Sequence, residues 1–145
     1  MQRLLFLLLF FLFTHAAMAG GGKEAYRNYF LGSYYFAEGD YGRAENHLRR
    51  AYQLHPNQYN FALAYALSLG QQQKTDDALE VLGRGKAMLS TRHPDYTHLA
   101  SLQNFVNGMI NLYGLRYGNA IAPLKRAIEL QTTLPYPEER SIMLN

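Results

Sequence analysis

The chain has no cysteine. No disulfide can brace it, and no lipid can be attached at a cysteine behind a leader segment. Charge is sparse as well: charged residues make up 17%, and 14 Lys and Arg against 11 Asp and Glu leave a net charge of +3. The basic residues are scattered along the chain, which excludes the dense basic face of a nucleic-acid binder. The one long apolar run, Leu4 to Phe13, is ten residues. At about 1.5 Å per residue it covers about half of a hydrocarbon core of roughly 30 Å. Gly20-Gly21-Gly22 follows no strand, as a dinucleotide loop would require, and no serine or other nucleophile has a base at a recognisable spacing. Neither catalysis nor a cofactor is expected. What remains is a chain of 145 residues, 48% hydrophobic, long enough for one folded domain.

The N-terminus "MQRLLFLLLFFLFTHAAMAG" has the order of a secretory leader: Arg3, the apolar run, then Ala17-Met18-Ala19 as an A-x-A cleavage site. Cleavage after Ala19 is expected, giving a periplasmic or secreted protein whose residues 20–24 form a flexible, glycine-rich start. If the segment is retained, the protein is tethered to a membrane.

Displacing the chain against itself by 34 residues pairs Leu31 with Tyr65, Gly32 with Ala66, Tyr35 with Leu69, Ala44 with Ala78, Leu48 with Leu82 and Ala51 with Gly85. Small residues meet small ones and large apolar residues meet large ones. A further displacement of 42 brings Gly108, Ala120, Leu124 and Ala127 into the same places. Three copies of one unit, about 25–58, 59–92 and 95–134, therefore fill nearly all of the chain that follows the leader.

Within copy one, Tyr26, Phe30, Leu31, Tyr34 and Tyr35 make one helical stripe, and Ala44, Leu48, Ala51 and Tyr52 make a second. "AEGDYGR" interrupts the period, and Pro56 ends the second helix. Each unit reads as a helical hairpin, with Gly32, Ala44 and Ala51 where the two axes cross and Leu31, Tyr35 and Leu48 filling the space beside them. The extra eight residues of copy three lie in "GKAMLSTRHPDYTH". They are expected to extend the second helix of copy two to Thr91, with His93-Pro94 stopping it and Asp95 capping the next. Pro123 predicts a helix starting near Asn119, or a kink. Residues 135–145 read as a short C-terminal helix, either a cap or the beginning of a further repeat, with Glu138 and Glu139 in its first turn.

These residues resemble the tetratricopeptide repeat family. Its pattern of a Leu-Gly pair, a Tyr three residues on, Gly-Asp-Tyr at the turn, then Ala, an apolar residue, Ala and a closing Pro is matched by Leu31, Gly32, Tyr35, Gly39-Asp40-Tyr41, Ala44, Leu48, Ala51 and Pro56. Copy two departs at its turn, "QQQKTDDA", and at Gly85; copy three has Asn107 and Asn111 at places normally apolar.

The resemblance implies an all-α fold, tandem helical hairpins stacked as a short right-handed superhelix or α-solenoid. It also implies a concave groove lined by the first helices. The family's groove positions fall on Tyr26, Tyr29, Ser33 and Phe36 in copy one. In copy two they fall on Asn60, Leu63, Leu67 and Gln71, and in copy three on Leu102, Phe105, Met109 and Leu112. Such a lining suits an amphipathic helix or an extended apolar peptide of a protein partner. Each of these residues has core packing as its alternative. The Lys, Asn and Arg clamp of carboxylate-binding relatives is absent: Tyr29, Ser33, Ala64, Leu102 and Val106 stand in its place.

Arg50, Arg84 and Arg126 recur late in each second helix, either as a basic ridge or as cations favoured at helix C-termini. His47, His55, His93 and His98 lack metal-ligand spacing, and Asp76, Asp77 and Glu80 suit a helix start. An uncapped end of the repeat array would favour homo-oligomers.

Overall fold

The computed structural model describes residues 22–134. The leader segment and the expected helix at 135–145 lie outside the described residues. Six helices run in order: α1 (Lys23–Ala37), α2 (Tyr41–Leu54), α3 (Tyr59–Gln71), α4 (Thr75–Met88), α5 (Tyr96–Tyr113) and α6 (Tyr117–Thr132). Among the described residues there is no strand. Consecutive helices pair as hairpins, α1 with α2, α3 with α4 and α5 with α6. The hairpins stack through α2 on α3 and α4 on α5, with α3 beside both α1 and α5. The described residues form an all-α solenoid of three helical hairpins.

The crossings explain the small residues. A Cβ on Gly32 would stand 2.5 Å from Leu48 Cγ, and one on Gly108 would stand 2.4 Å from Leu124 Cγ. Each leucine fills the notch that a glycine leaves, which lets the axes approach within the usual 8–10 Å or so. Copy two uses Ala66 there, and a Cβ on Gly85 would stand 3.1 Å from Ala62 Cβ. Ala44, Ala51, Ala66, Ala78, Ala120 and Ala127 are all buried, with Leu48, Leu69 and Leu82. Leu31, Tyr35 and Leu124 are half-buried, and Pro56 is exposed just beyond α2. Tyr35 is covered on the outside by the His47 ring, 5.5 Å away and nearly parallel, and by the Arg43 guanidinium 4.4 Å from its centroid.

All three hairpins turn by one device. Gly39, Gln73 and Leu115, one per copy at the same place, have φ of 81°, 61° and 59°. Behind each, an N–H reaches back to close the preceding helix: Asp40 to the Tyr35 carbonyl, Lys74 to Leu69 and Arg116 to Asn111. This is a left-handed helix stop, which glycine adopts freely and side-chain-bearing residues adopt at a cost of about 1 kcal/mol or more. The turn of copy two departs in sequence and keeps the geometry. Asp40 then caps α2, accepting from the Arg43 N–H at 3.0 Å. That hydrogen bond, with the one from the Arg43 side chain, holds the Asp40 carboxyl below the ordinary range.

Several boundaries differ from expectation. Helix α4 ends at Met88, not Thr91. Ser90 forms a local turn instead, its hydroxyl and carbonyl accepting from the N–H groups of Arg92 and His93. Asp95 stands at the start of α5, but its side chain makes no cap. Helix α6 begins at Tyr117, two residues before Asn119, because the left-handed turn at Leu115 sets the restart; Pro123 therefore lies inside it. Helix α1 begins at Lys23, inside the stretch expected to be flexible, with Glu24 in its first turn paired to Arg50 across the hairpin at 3.0 Å. Asn107 and Asn111 sit on a continuous α5, where Asn111 is buried and its amide donates to the Asn107 side chain at 2.8 Å.

Two substitutions test this account. Gly108→Ala should destabilise the protein by roughly 1 to 3 kcal/mol through overpacking against Leu124, read by urea unfolding. Gln73→Gly should stabilise it by roughly 0.5 kcal/mol, since relief of the left-handed strain exceeds the added chain entropy; a loss of stability would contradict the assigned turn.

Candidate protein-binding face

Because α1, α3 and α5 lie side by side, residues at equivalent places on them share one face. Of the twelve candidate groove residues, Tyr29, Phe36, Leu63, Leu67 and Leu102 are buried. They are core rather than surface. Tyr29 stacks on Phe61 at 4.9 Å between ring centroids, and burial pushes its phenol well above the ordinary value. The other seven, Tyr26, Ser33, Asn60, Gln71, Phe105, Met109 and Leu112, are half-buried and keep some surface. Tyr26 meets Phe61 edge-on at 5.4 Å, and its hydroxyl accepts from the Gln58 amide at 3.1 Å. Ser33 turns its hydroxyl inward to the Tyr29 carbonyl, 2.9 Å away.

The apolar part of this surface is concentrated on α5. At the place of Phe105, copies one and two carry Tyr29 and Leu63; at the place of Leu112 they carry Phe36 and Gly70. Those four are buried because another hairpin follows each of them. Behind copy three no further hairpin is described, so Phe105 and Leu112 keep partial exposure. Met109, flanked by both, completes an adaptable apolar strip.

Polar contacts between the copies complete the scaffold, and the sequence pattern did not reveal them. The Tyr59 hydroxyl donates to Gln103 Oε1 at 2.7 Å, and Gln103 donates in turn to the Leu82 carbonyl at 2.9 Å. This joins copy three to both helices of copy two, and burial raises the Tyr59 phenol above its usual value. Between copies one and two, Glu45 accepts from Gln72 at 2.8 Å and Lys74 at 2.6 Å. Between copies two and three, Arg116 grips Asp76 with both carboxylate oxygens engaged, at 2.8 and 3.1 Å. Gln103 stands in register with Phe61 and Arg27, so its repeat position carried no consistent signal.

The recurrent arginines do not form a free basic ridge. Arg50 pairs with Glu24, Arg84 with Glu80 and Arg126 with Glu129. All are exposed pairs, each worth little to stability. The His47 ring lies 3.0 Å from Asn28 Oδ1, and the His55 ring accepts from the Gly22 N–H at 3.0 Å. Among the described residues no three His, Asp or Glu side chains gather as a metal site would require, and no helix is long and apolar enough to cross a membrane.

Side-by-side helical hairpins with a shared face of first helices define a class, the helical-repeat solenoid. Residues 35–102 match the sequence model of a tetratricopeptide repeat. The match runs from the end of α1 into α5 and supports the family suggested by the motif of copy one. Repeats of this family mediate protein–protein interaction. No curated protein and no solved structure matches the chain.

Tyr29→Ala should cost about 3 kcal/mol or more in urea unfolding, the scale of a buried aromatic truncation, whereas Met109→Ala should cost far less. The acid limb of the stability curve offers a second check. Burial alone would raise the Glu45 carboxyl, but the hydrogen bonds from Lys74 and Gln72 and the charges of Lys74 and Arg49 outweigh it and hold the group below its ordinary value. Its stabilisation is present above the ordinary carboxylate range and is lost as pH falls through the lowered native value. Glu45→Gln should therefore flatten that limb in unfolding measured from about pH 6 downward.

Proposed function

We propose that the protein is an exported scaffold that holds a protein partner against the shared face of α1, α3 and α5, and that it catalyses no reaction. The observation that carries this reading is the row of half-exposed side chains along the first helices: Tyr26, Ser33, Asn60 and Gln71 as a polar flank, and Phe105, Met109 and Leu112 as an apolar strip on α5. An amphipathic helix or an extended apolar segment fits such a strip, with thioether and aromatic groups adapting to its side chains. Export is supported by the leader pattern of residues 1–19, which gives a periplasmic or secreted location. We assign the protein on that basis to envelope assembly or secretion, the setting the family resemblance suggests for an exported scaffold.

Two experiments test the reading. Titration against a displayed library of amphipathic helical peptides should yield binders whose affinity falls at least tenfold with Met109→Asp, while thermal unfolding shifts little; binders indifferent to Met109 would remove the face from consideration. Mass spectrometry of the protein recovered from its host should show an N-terminus at Gly20, and an intact Met1 with membrane association would replace export by tethering.

A further inference from the structure

Both ends of the solenoid expose apolar side chains at places that are covered inside it. On α1, Phe30 and Tyr34 are 48% and 55% exposed. Their counterparts are Ala64 and Ser68 in copy two and Val106 and Ile110 in copy three, all buried. That face seats on the preceding hairpin. Ile110 presses on Gly70, where an added Cβ would lie 2.9 Å from its Cγ1, and Phe61 of the same register stacks on Tyr29.

On α6 the opposite half is open. Tyr117, Ile121 and Ile128 are 60%, 56% and 65% exposed. Three of the equivalent residues of the inner hairpins meet the hairpin that follows. Thr75, in the place of Tyr117, packs so closely on Gly114 that a Cβ there would fall 2.2 Å from its hydroxyl. Tyr52, in the place of Ile128, lies 5.8 Å from the Tyr65 ring. Glu45, in the place of Ile121, bonds to Gln72 and Lys74. In copy two the same place holds Leu79, which packs against the core, whereas Ile121 stands exposed.

We propose that a second copy of this chain covers these edges, the α1 face of one molecule seating on the α5–α6 end of the next. The two surfaces are the two halves of an interface that the molecule already makes twice within itself. Continuing it between molecules adds no new geometry. In that register Arg27, at the place of Phe61, comes onto the Phe105 ring as Phe61 comes onto Tyr29, a cation over an aromatic face. The contact is head to tail, each surface differing from its complement, so each added copy presents a fresh edge and assembly is open-ended. Phe105 and Leu112 then belong to the junction as well as to the binding face, and a partner on α5 competes with further growth.

Light scattering on the purified full chain should show mass rising with concentration beyond a dimer. Phe30→Glu breaks the head and Ile128→Glu breaks the tail, and each variant alone should be a monomer. Mixed one to one they retain one sound head and one sound tail, so the mass should double and stop there. Both side chains are exposed, so the fold should survive, as helical circular dichroism will show; if either variant loses helicity, Tyr34→Lys and Ile121→Lys replace the pair. A wild-type monomer at every concentration overturns the proposal and assigns the edges to another occupant, such as residues 135–145. A mixture that stays monomeric, or a single variant that still dimerises through like faces, overturns it also.

Discussion

The close approach of two helices within each hairpin is the constraint on which the rest of the structure depends. Where Gly32 faces Leu48 and Gly108 faces Leu124, there is no room for even a methyl group between them. Short interaxial distances allow the buried alanines of α2, α4 and α6 to make useful contact despite their small size. They also fix the angle at which each hairpin presents its outer surface, and hence how the next one stacks. Gly70 against Ile110 and Gly114 against Thr75 repeat the same notch-and-filler logic between hairpins.

The turns serve that constraint. A hairpin whose axes must meet closely has little freedom in its connection, and all three copies close with one left-handed residue and one backward hydrogen bond. Copy one supplies glycine, whereas Gln73 and Leu115 accept the strained conformation. The packing of three adjacent hairpins holds them there, so local preference yields to tertiary contact. The same dominance explains Pro123 within α6, where the position of the turn rather than the proline decides the start of the helix.

Polar groups at the junctions add selectivity to contacts that apolar packing alone would leave loosely specified. Gln103 bridges Tyr59 and the Leu82 carbonyl, and Glu45 gathers Gln72 and Lys74. Each of these requires one particular neighbour in one register, and a slipped stacking would leave Gln103 buried without its partners, at a cost of about 1 to 3 kcal/mol for each unpaired group. Junction and binding face are therefore coupled: the residues that order the hairpins also aim Tyr26, Asn60 and Met109 to one side.

Sequence spacing by itself determined the hairpins, the three copies and the crossing residues, since helical period and small-residue placement are local properties recorded every few positions. The family resemblance, rather than the spacing, marked the face formed by the first helices. Which residues of that face reach solvent was decided only in the tertiary structure. Tyr29, Leu63 and Phe105 occupy one repeat position, yet the first two are buried and the third is half-exposed. Exposure there depends on whether another hairpin follows, which is a relation between distant parts of the chain. The same holds for Phe30 beside Ala64 and Val106, and for Arg50, Arg84 and Arg126, whose acidic partners lie three, four or twenty-six residues away. Periodicity places a side chain on a face of its helix; only the packed neighbours decide what that face meets.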